Sequence, residues 1–492
     1  MRILVTGASG YIGGRLVPSL LAEGHSVRCP ARSPSRLRDV PWADRVEVVR
    51  ADVLDPGSTR TALEGVDVAY YLVHALTSPD FEDRDRRAAE TFGAAALAAG
   101  VRRLVYLGGL SPAGPLSAHL RSRAEVGDLL LASGVPTIVL RAAVILGSGS
   151  ASFEMLRYLT ERLPVMITPR WVRSRIQPIA IRDVVHYLAG CATVPGNVNR
   201  AYDIGGPDVL TYAEMMQRYA AAAGLRRRFI VPVPVLSPTL SAHWVGVVTP
   251  VPNAIARPLV ASLKHEVVCH EHDIATLVPD PPQGLLGVDD ALRLALTRVR
   301  EADVVTRWSN ATVPDAPSDP LPSDPVWAGG SLYVDERVTG VAATRNELWD
   351  VIERIGGENG WYSWPLAWAV RGWLDRLVGG VGLRRGRRDP RRLRVGETLD
   401  FWRVEEIDRG RLLRLRAEMK VPGLAWLELS VEDAGRGGTG RSDAGTGVRF
   451  RQRAVFHPRG LAGHLYWWGI KPFHGAVFGG MLRNIAKAAE RG

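Results

Sequence analysis

The segment RILVTGASGYIGGRL, residues 2–16, constrains the fold more than any other part of the chain. A strand-forming run leads into Gly7, Gly10 and Gly13, and an apolar-periodic run follows, so strand, turn and helix occur in register. One glycine supplies the backbone angles of a tight turn. Another lets a diphosphate approach the main chain, and the third lets helix and strand pack closely. Ser9, Tyr11 and Ile12 complete the turn. An anion there meets the free N–H groups and the positive end of the helix. The pattern predicts a dinucleotide site; an ordinary βα turn is the alternative.

The rhythm continues downstream. SVRCPA, VEVVRAD, VDVAYYLV, RRLVYLGG and PTIVLRAAVI read as further strands. Between them, YIGGRLVPSLLAEG, DRRAAETFGAAALAAG and RSRAEVGDLLLASG read as helices closed by glycine. Alternating short strands and helices imply a Rossmann-type doubly wound parallel sheet with right-handed crossovers. We place its core at about residues 1–150 and a small substrate subdomain at about 150–305. The 492 residues exceed what one core accommodates. TRWSNATVPDAPSDPLPSDP, rich in Pro, Asp and Ser, marks a linker over 306–327. Nine of the fourteen tryptophans lie beyond residue 327, where strand-like runs replace the βαβ rhythm.

The end of the second strand bears on cofactor choice. An NAD-selective site places Asp or Glu there, whereas this chain reads RCPARSPSR, with Arg28, Arg32 and Arg36 and no acid. Arg32 best suits a 2′-phosphate, which a guanidinium binds through two donors and its charge. NADP(H) is therefore expected over NAD(H), unless the arginines form a solvated turn. Asp52, next to Val53 after the third strand, is placed to reach the adenine amine. Leu72 and His74, at the end of the fourth strand, lie where ligands of open α/β sheets bind; packing is the alternative role for His74.

TGASGYIG, RADVLDP, LGGLSP, LRAAVILGSGS, IQPIAIRDVV with Asp183, and AYDIGGPDVLTYAEM together resemble the extended and atypical short-chain dehydrogenase/reductase superfamily, over roughly residues 1–300. The similarity is greatest to NmrA-like NAD(P)H-binding proteins fused to a carboxy-terminal domain of unknown function. The resemblance implies hydride transfer assisted by Ser, Tyr and Lys. By motif position Ser111 stands for the serine, His119 for the tyrosine and Arg123 for the lysine. The departure is substantial, because the first lysine of the chain is Lys264. A histidine titrates near neutrality and is a competent general acid, while a nearby arginine lowers its pKa. Three readings follow: an oxidoreductase for a hydrophobic carbonyl or quinone, a non-catalytic NADP(H) sensor or assembly protein such as the NmrA-like relatives, or a lipid-binding protein whose Rossmann domain is only a scaffold.

Other clusters are less informative. In PRWVRSR, read as a strand, Arg173 and Arg175 share a face that either borders the cleft or meets solvent. KHEVVCHEHD, also read as a strand, puts His270 and His272 on one face but matches no zinc spacing, so no metal is expected. The net charge of +11 reflects an arginine-rich composition and does not argue for a nucleic-acid partner. Cys29, Cys191 and Cys269 form no CxxC, the amino end runs directly into a strand, and no long apolar run occurs, which fits a cytoplasmic protein.

In the second half, DERVTGVAATRNELWDVIERIGG reads as a strand and a helix opening at Thr344. A Trp-rich stretch, four strands and a long terminal helix or helix pair follow. EDAGRGGTGRSDAGTG reads as a hairpin loop and LRRGRRDPRRLR as a solvated basic loop. The order resembles the α+β helix-grip, START-like fold over 328–492, which implies a cavity for a lipid or quinone-like ligand; a solid core is the alternative. The aromatic, basic tail LYWWGIKPFHGAVFGGMLRNIAKAAE has the composition to graze a membrane surface, with core packing as the default.

Overall fold

The computed structural model describes residues 1–38, 40–76, 78, 80–112, 114–233, 248–304, 330–356, 360–363, 392–433 and 447–491. The linker at 306–327 and most of the Trp-rich stretch, the basic run and the hairpin loop lie outside them. The chain divides into two compact units, Met1–Gly330 and Ser331–Gly492.

In the first unit seven strands form one parallel sheet. They are β1 (Arg2–Val5), β2 (Ser26–Ala31), β3 (Glu47–Arg50), β4 (Val68–Tyr71), β5 (Arg103–Gly109), β6 (Thr137–Ala142) and β7 (Arg200–Ile204), in the order β7-β6-β5-β4-β1-β2-β3. Every pairing is parallel. The fully buried apolar run of β4 reflects coverage on both faces. Helices α1 (Tyr11–Ala22), α2 (Pro56–Leu63), α3 (Phe81–Ala98) and α4 (Ala118–Leu131) connect strands of this sheet. Gly24, Gly100 and Gly134, just beyond α1, α3 and α4, adopt positive φ, as the glycine-closed helices predict. One core holds Ile3, Val5, Leu16, Val27, Tyr70 and Ile138; another holds Leu4, Tyr71, Phe92, Leu104 and Leu130.

Beyond β6 lie α5 (Ala151–Arg162), α6 (Ile181–Cys191), α7 (Tyr212–Ala222), α8 (Asn253–Ser262) and α9 (Val288–Val304). Helices α5, α7 and α9 form a separate apolar cluster with Phe153, Leu156, Met215, Met216 and Leu292, while α6 packs into the first core and α8 forms a small cluster with Met155. Two of the motif aspartates pin this region. Asp183 accepts the N–H of Leu286 at 2.8 Å, and Asp208 accepts that of Val288 at 2.7 Å, at the start of α9.

Two strand readings are corrected here. Arg170–Arg173 is a 3₁₀ turn, with Val172 buried and Trp171 edge-on to Tyr212 at 5.8 Å, so Arg173 and Arg175 do not share a strand face. Residues 264–273 contribute only an isolated bridge at Val267 and a 3₁₀ turn starting at Asp273. The N–H groups of Cys269 and His270 go to the side chains of Gln177 and Asp203 instead of a strand partner. His270 and His272 therefore lose the alternation that placed them together.

The second unit is a six-stranded sheet of β8 (Tyr333–Val341), β9 (Thr398–Leu399), β10 (Trp402–Asp408), β11 (Leu412–Ala417), β12 (Gly423–Asp433) and β13 (Val448–Pro458), ordered β8-β13-β12-β11-β10-β9 and antiparallel throughout. Helix α10 (Arg345–Glu353) opens at Thr344 with a reciprocal Thr344–Glu347 capping box. A single helix, α11 (Gly460–Ala489), closes the chain with Pro472 inside it. Phe478, Met481, Leu482 and Ile485 of α11 pack with Leu413, Leu415, Leu427 and Phe450 of the sheet. Among the described residues no helix is long and apolar enough to cross a membrane.

Candidate active site

Two adjoining recesses lie over the carboxy ends of the first unit's strands. The first is a groove of about 740 Å³ lined by Gly7, Ser9, Gly10, Arg32, Arg36, Asp52, Val53, Leu72 and His74, among others. Its floor is main chain. Gly7 has φ +67°, and a Cβ there would lie 2.6 Å from the Leu72 carbonyl oxygen. A Cβ on Gly13 would lie 2.4 Å from the carbonyl oxygen of Gly7. These positions admit only glycine, so the α1 amino end and the β4 end stand close together. Gly10 is the residue preceding α1, and no side chain caps that end.

The arginines near β2 divide. Arg28 is buried; its Nε meets Glu47 at 2.9 Å and its Nη1 donates to the carbonyls of Ala62 and Glu64, so it braces β2 against β3 and α2. Arg32 and Arg36 are exposed on the groove and form no ion pair among the described residues. Asp52 also borders it, and its Oδ1 accepts the N–H of Leu54 at 3.1 Å.

The second recess is a cavity of about 870 Å³ that shares Ser9, Gly10, Arg36 and His74 with the groove. Tyr11, Ile12, Gly109, His119 and Arg123 border it on the sheet side. Its far side is apolar, with Met155, Leu159, Trp171, Met216, Ile255 and Leu259 from α5, the 3₁₀ turn, α7 and α8. Of the residues singled out in the sequence, His119 and Arg123 come together in this cavity with His74, while Ser111 is not among its lining residues. Gly13 acts beneath the groove by close packing and lines neither recess.

His119 lies in the first turn of α4, whose preceding residue Ser117 accepts the N–H of Leu120. Its Nδ1 is 3.3 Å from Ser262 Oγ, at the end of α8; Ser262 Oγ also lies 2.8 Å from Ser117 Oγ and donates to the Pro258 carbonyl at 2.9 Å. Ser262 Oγ thus joins Ser117, His119 and the Pro258 carbonyl in one hydrogen-bonded cluster that fixes the orientation of the His119 ring. Burial, and then the Arg123 charge, push the His119 imidazole down to about 3. His74, by contrast, is solvent-exposed where the groove meets the cavity. The His119 ring is neutral at physiological pH. Arg123 reaches the Leu107 carbonyl at 3.4 Å, and Tyr106 Oη donates to the Arg123 carbonyl at 3.2 Å.

Three participants escaped sequence reasoning. Arg15 is buried in α1, stacks on the Tyr11 ring at 4.1 Å and donates to the Ser148 carbonyl, which fixes the loop after β6. Asp85 accepts the N–H of Ala75 at 2.7 Å and the Ser122 hydroxyl at 3.1 Å, which ties the segment after His74 to α4. Helix α8 carries Ser262 and the cavity's apolar wall. Only α8 left a trace, in the apolar but proline-interrupted run HWVGVVTPVPNAIARPLVA.

A family described as NAD(P)H-binding matches residues 7–135, and a family described as a protein of unknown function (DUF2867) matches residues 327–481. The chain is 32% identical to a (4-alkanoyl-5-oxo-2,5-dihydrofuran-3-yl)methyl phosphate reductase of Streptomyces griseus over 235 residues, 46% of this chain and 76% of that protein. It is 30% identical to a chloroplastic divinyl chlorophyllide a 8-vinyl-reductase of Oryza sativa subsp. indica over 262 residues, 49% of this chain and 63% of that protein. Triphenylmethane reductase of Citrobacter sp., solved with NADP(H), superposes with a TM-score of 0.49 and 21% identity, covering 60% of this chain and all of that one. Through its first unit, this chain belongs to the NAD(P)H-binding oxidoreductases of the short-chain dehydrogenase/reductase family.

Proposed function

We propose that the first unit is an NADP(H)-linked reductase of a hydrophobic carbonyl or quinone-like acceptor. The observation that carries this reading is the junction at Ser9, Gly10, Arg36 and His74, where a main-chain groove bordered by Arg32, Arg36 and Arg84 opens into a largely apolar cavity. The cofactor's diphosphate lies against Ser9, Gly10, Tyr11 and Ile12 at the α1 amino end, in the space kept open by Gly7 and Gly13. Arg32 takes the 2′-phosphate, Asp52 and Val53 flank the adenine, and Leu72 and His74 border the nicotinamide ribose. When bound, the nicotinamide supplies a hydride.

The acceptor lies among Met155, Met216 and Leu259. His119, neutral and oriented by Ser262, borders the acceptor and does not act as an imidazolium acid. Reductase names among the relatives support this reading. Spectrophotometry of the purified chain with NADPH and a panel of quinones and apolar aldehydes tests it. Turnover lost in His119→Ala supports catalysis at this site. Tight NADPH binding without oxidation, unchanged in His119→Ala, supports nucleotide sensing in the NmrA-like manner instead.

For the second unit, a sheet packed against one long helix supports a START-like, helix-grip reading with an apolar ligand. Solvent extraction of the full chain and mass spectrometry test it; an empty extract counts against it. The free thiols of Cys29, Cys191 and Cys269 support a cytoplasmic setting.

A further inference from the structure

A reductase must settle the charge that hydride uptake leaves on its substrate. Family members with a tyrosine–lysine pair deliver a proton; here those positions hold His119 and Arg123. His119, held neutral by burial and by the Arg123 charge, meets Ser262 through Nδ1 and carries no imidazolium proton to give. Arg123, by contrast, brings a permanent cation to the cavity wall. Its side chain reaches the Leu107 carbonyl at 3.4 Å and the Tyr106 phenol, and it forms no ion pair among the described residues. The charged and titratable groups that feel it are His74, His119, Asp85, Tyr71 and Tyr106. Asp85, the carboxylate of this set, is occupied by the Ala75 N–H and the Ser122 hydroxyl.

We propose that Arg123 stabilises the oxyanion formed when the acceptor takes up hydride, and that the cavity therefore selects acceptors whose reduced form is a weakly basic anion: quinones and conjugated enones rather than isolated ketones. This rests on the reductase reading of the same site. The acceptor gains hydrogen and two electrons, equal to those the reduced nicotinamide loses. The new bond is C–H at the conjugated carbon of an enone and O–H at one oxygen of a quinone, the displaced π pair moves through the conjugated system, and the negative charge ends on the remaining oxygen beside Arg123. Water supplies the proton after release. A fixed cation in an apolar recess favours such charge more than it would in water. An isolated ketone yields a strongly basic alkoxide, which one fixed cation leaves far less stable than a phenolate or an enolate.

The probe is 4-nitrophenol, whose coloured anion mimics the reduced acceptor. It is titrated into the full chain at saturating NADP⁺, with saturation checked for each variant by equilibrium dialysis, and its ionisation is followed by visible absorbance against pH. Bound probe ionises about tenfold more readily than free probe, a fall of about one pKa unit. Arg123→Gln removes that shift and Arg123→Lys retains part of it; their NADP⁺ binding reports that the fold is intact. Bound probe with no shift, a shift that survives Arg123→Gln, or no probe binding alongside bound NADP⁺ overturns the proposal. If NADP⁺ itself fails to bind, the reductase reading falls. The same titration without nucleotide then judges the oxyanion site alone: an Arg123-dependent shift supports it and its absence overturns it.

Discussion

The nucleotide groove and the apolar cavity touch at four residues yet are built on opposite principles. The groove is made by backbone: Gly7 and Gly13 bring main chain to within a distance that no Cβ tolerates. The cavity is made by side chains, with methionines, leucines and an indole from α5, α7, α8 and a 3₁₀ turn. Backbone shape tolerates few sequences and so leaves a motif. A wall of apolar side chains tolerates many of similar volume and leaves none. The groove's occupant is thus legible as a chemical class, while the cavity's occupant is legible only as apolar.

The largest effect is expected where the two regions meet. His119 is held neutral in the fold at about 3, whereas in the unfolded chain it titrates near 6.5. Between those values the unfolded chain binds a proton that the folded one refuses. Stability is therefore full above about pH 6.5 and falls as pH drops toward 3. With solvent entering the cavity, His119 contributes on the order of 2 kcal/mol to that loss. Urea unfolding of the full chain at pH 7 and pH 4.5 measures it. His119→Gln loses less stability between those pH values than the parent. An equal loss in both would mean that the ring is solvated and the junction is not a low-dielectric site.

Next is Gly13→Ala, which breaks the groove alone. The added Cβ meets the Gly7 carbonyl oxygen at 2.4 Å and the Ala8 Cα at 2.9 Å. Both are backbone, so no rotamer change relieves the clash, and overpacking costs about 1–3 kcal/mol. NADPH affinity, followed by fluorescence, falls about ten- to hundredfold. Unchanged affinity would show that the groove is not shaped by this contact.

This asymmetry also explains how far the sequence reached. The strands and helices up to β6 follow from apolar runs bounded by glycine, and the Thr344 helix start follows from a Thr-x-x-Glu box. PRWVRSR misled because alternation of Arg with apolar residues suits a strand, whereas burial of Val172 and packing of Trp171 on Tyr212 favour a 3₁₀ turn. His119 and Arg123 were found because a family motif fixes their place in α4. Asp85, Arg15 and Ser262 were not. Their roles depend on partners 10, 133 and 143 residues away in sequence, and no local pattern encodes such pairings.

Arg32→Gln tests the cofactor side more gently. Arg32 is exposed, so water screens its charge, and we expect about a tenfold loss of NADPH affinity with NADH affinity unchanged. Equal losses for both nucleotides would assign Arg32 to the diphosphate or to general attraction. No loss for either would return the 2′-phosphate to Arg36, which borders both recesses.

The smallest change sharpens the comparison most. Leu259 of α8 lines the cavity but not the groove. Leu259→Ala removes part of the apolar wall, worth about 1 kcal/mol to a ligand that packs against it. The KM for an active quinone should rise about fivefold, with NADPH affinity and kcat little changed. If NADPH affinity falls in step, α8 closes over both recesses and they are one binding unit. If neither moves, the acceptor lies against α5 and α7 instead, and the role of α8 is reduced to holding Ser262 against His119.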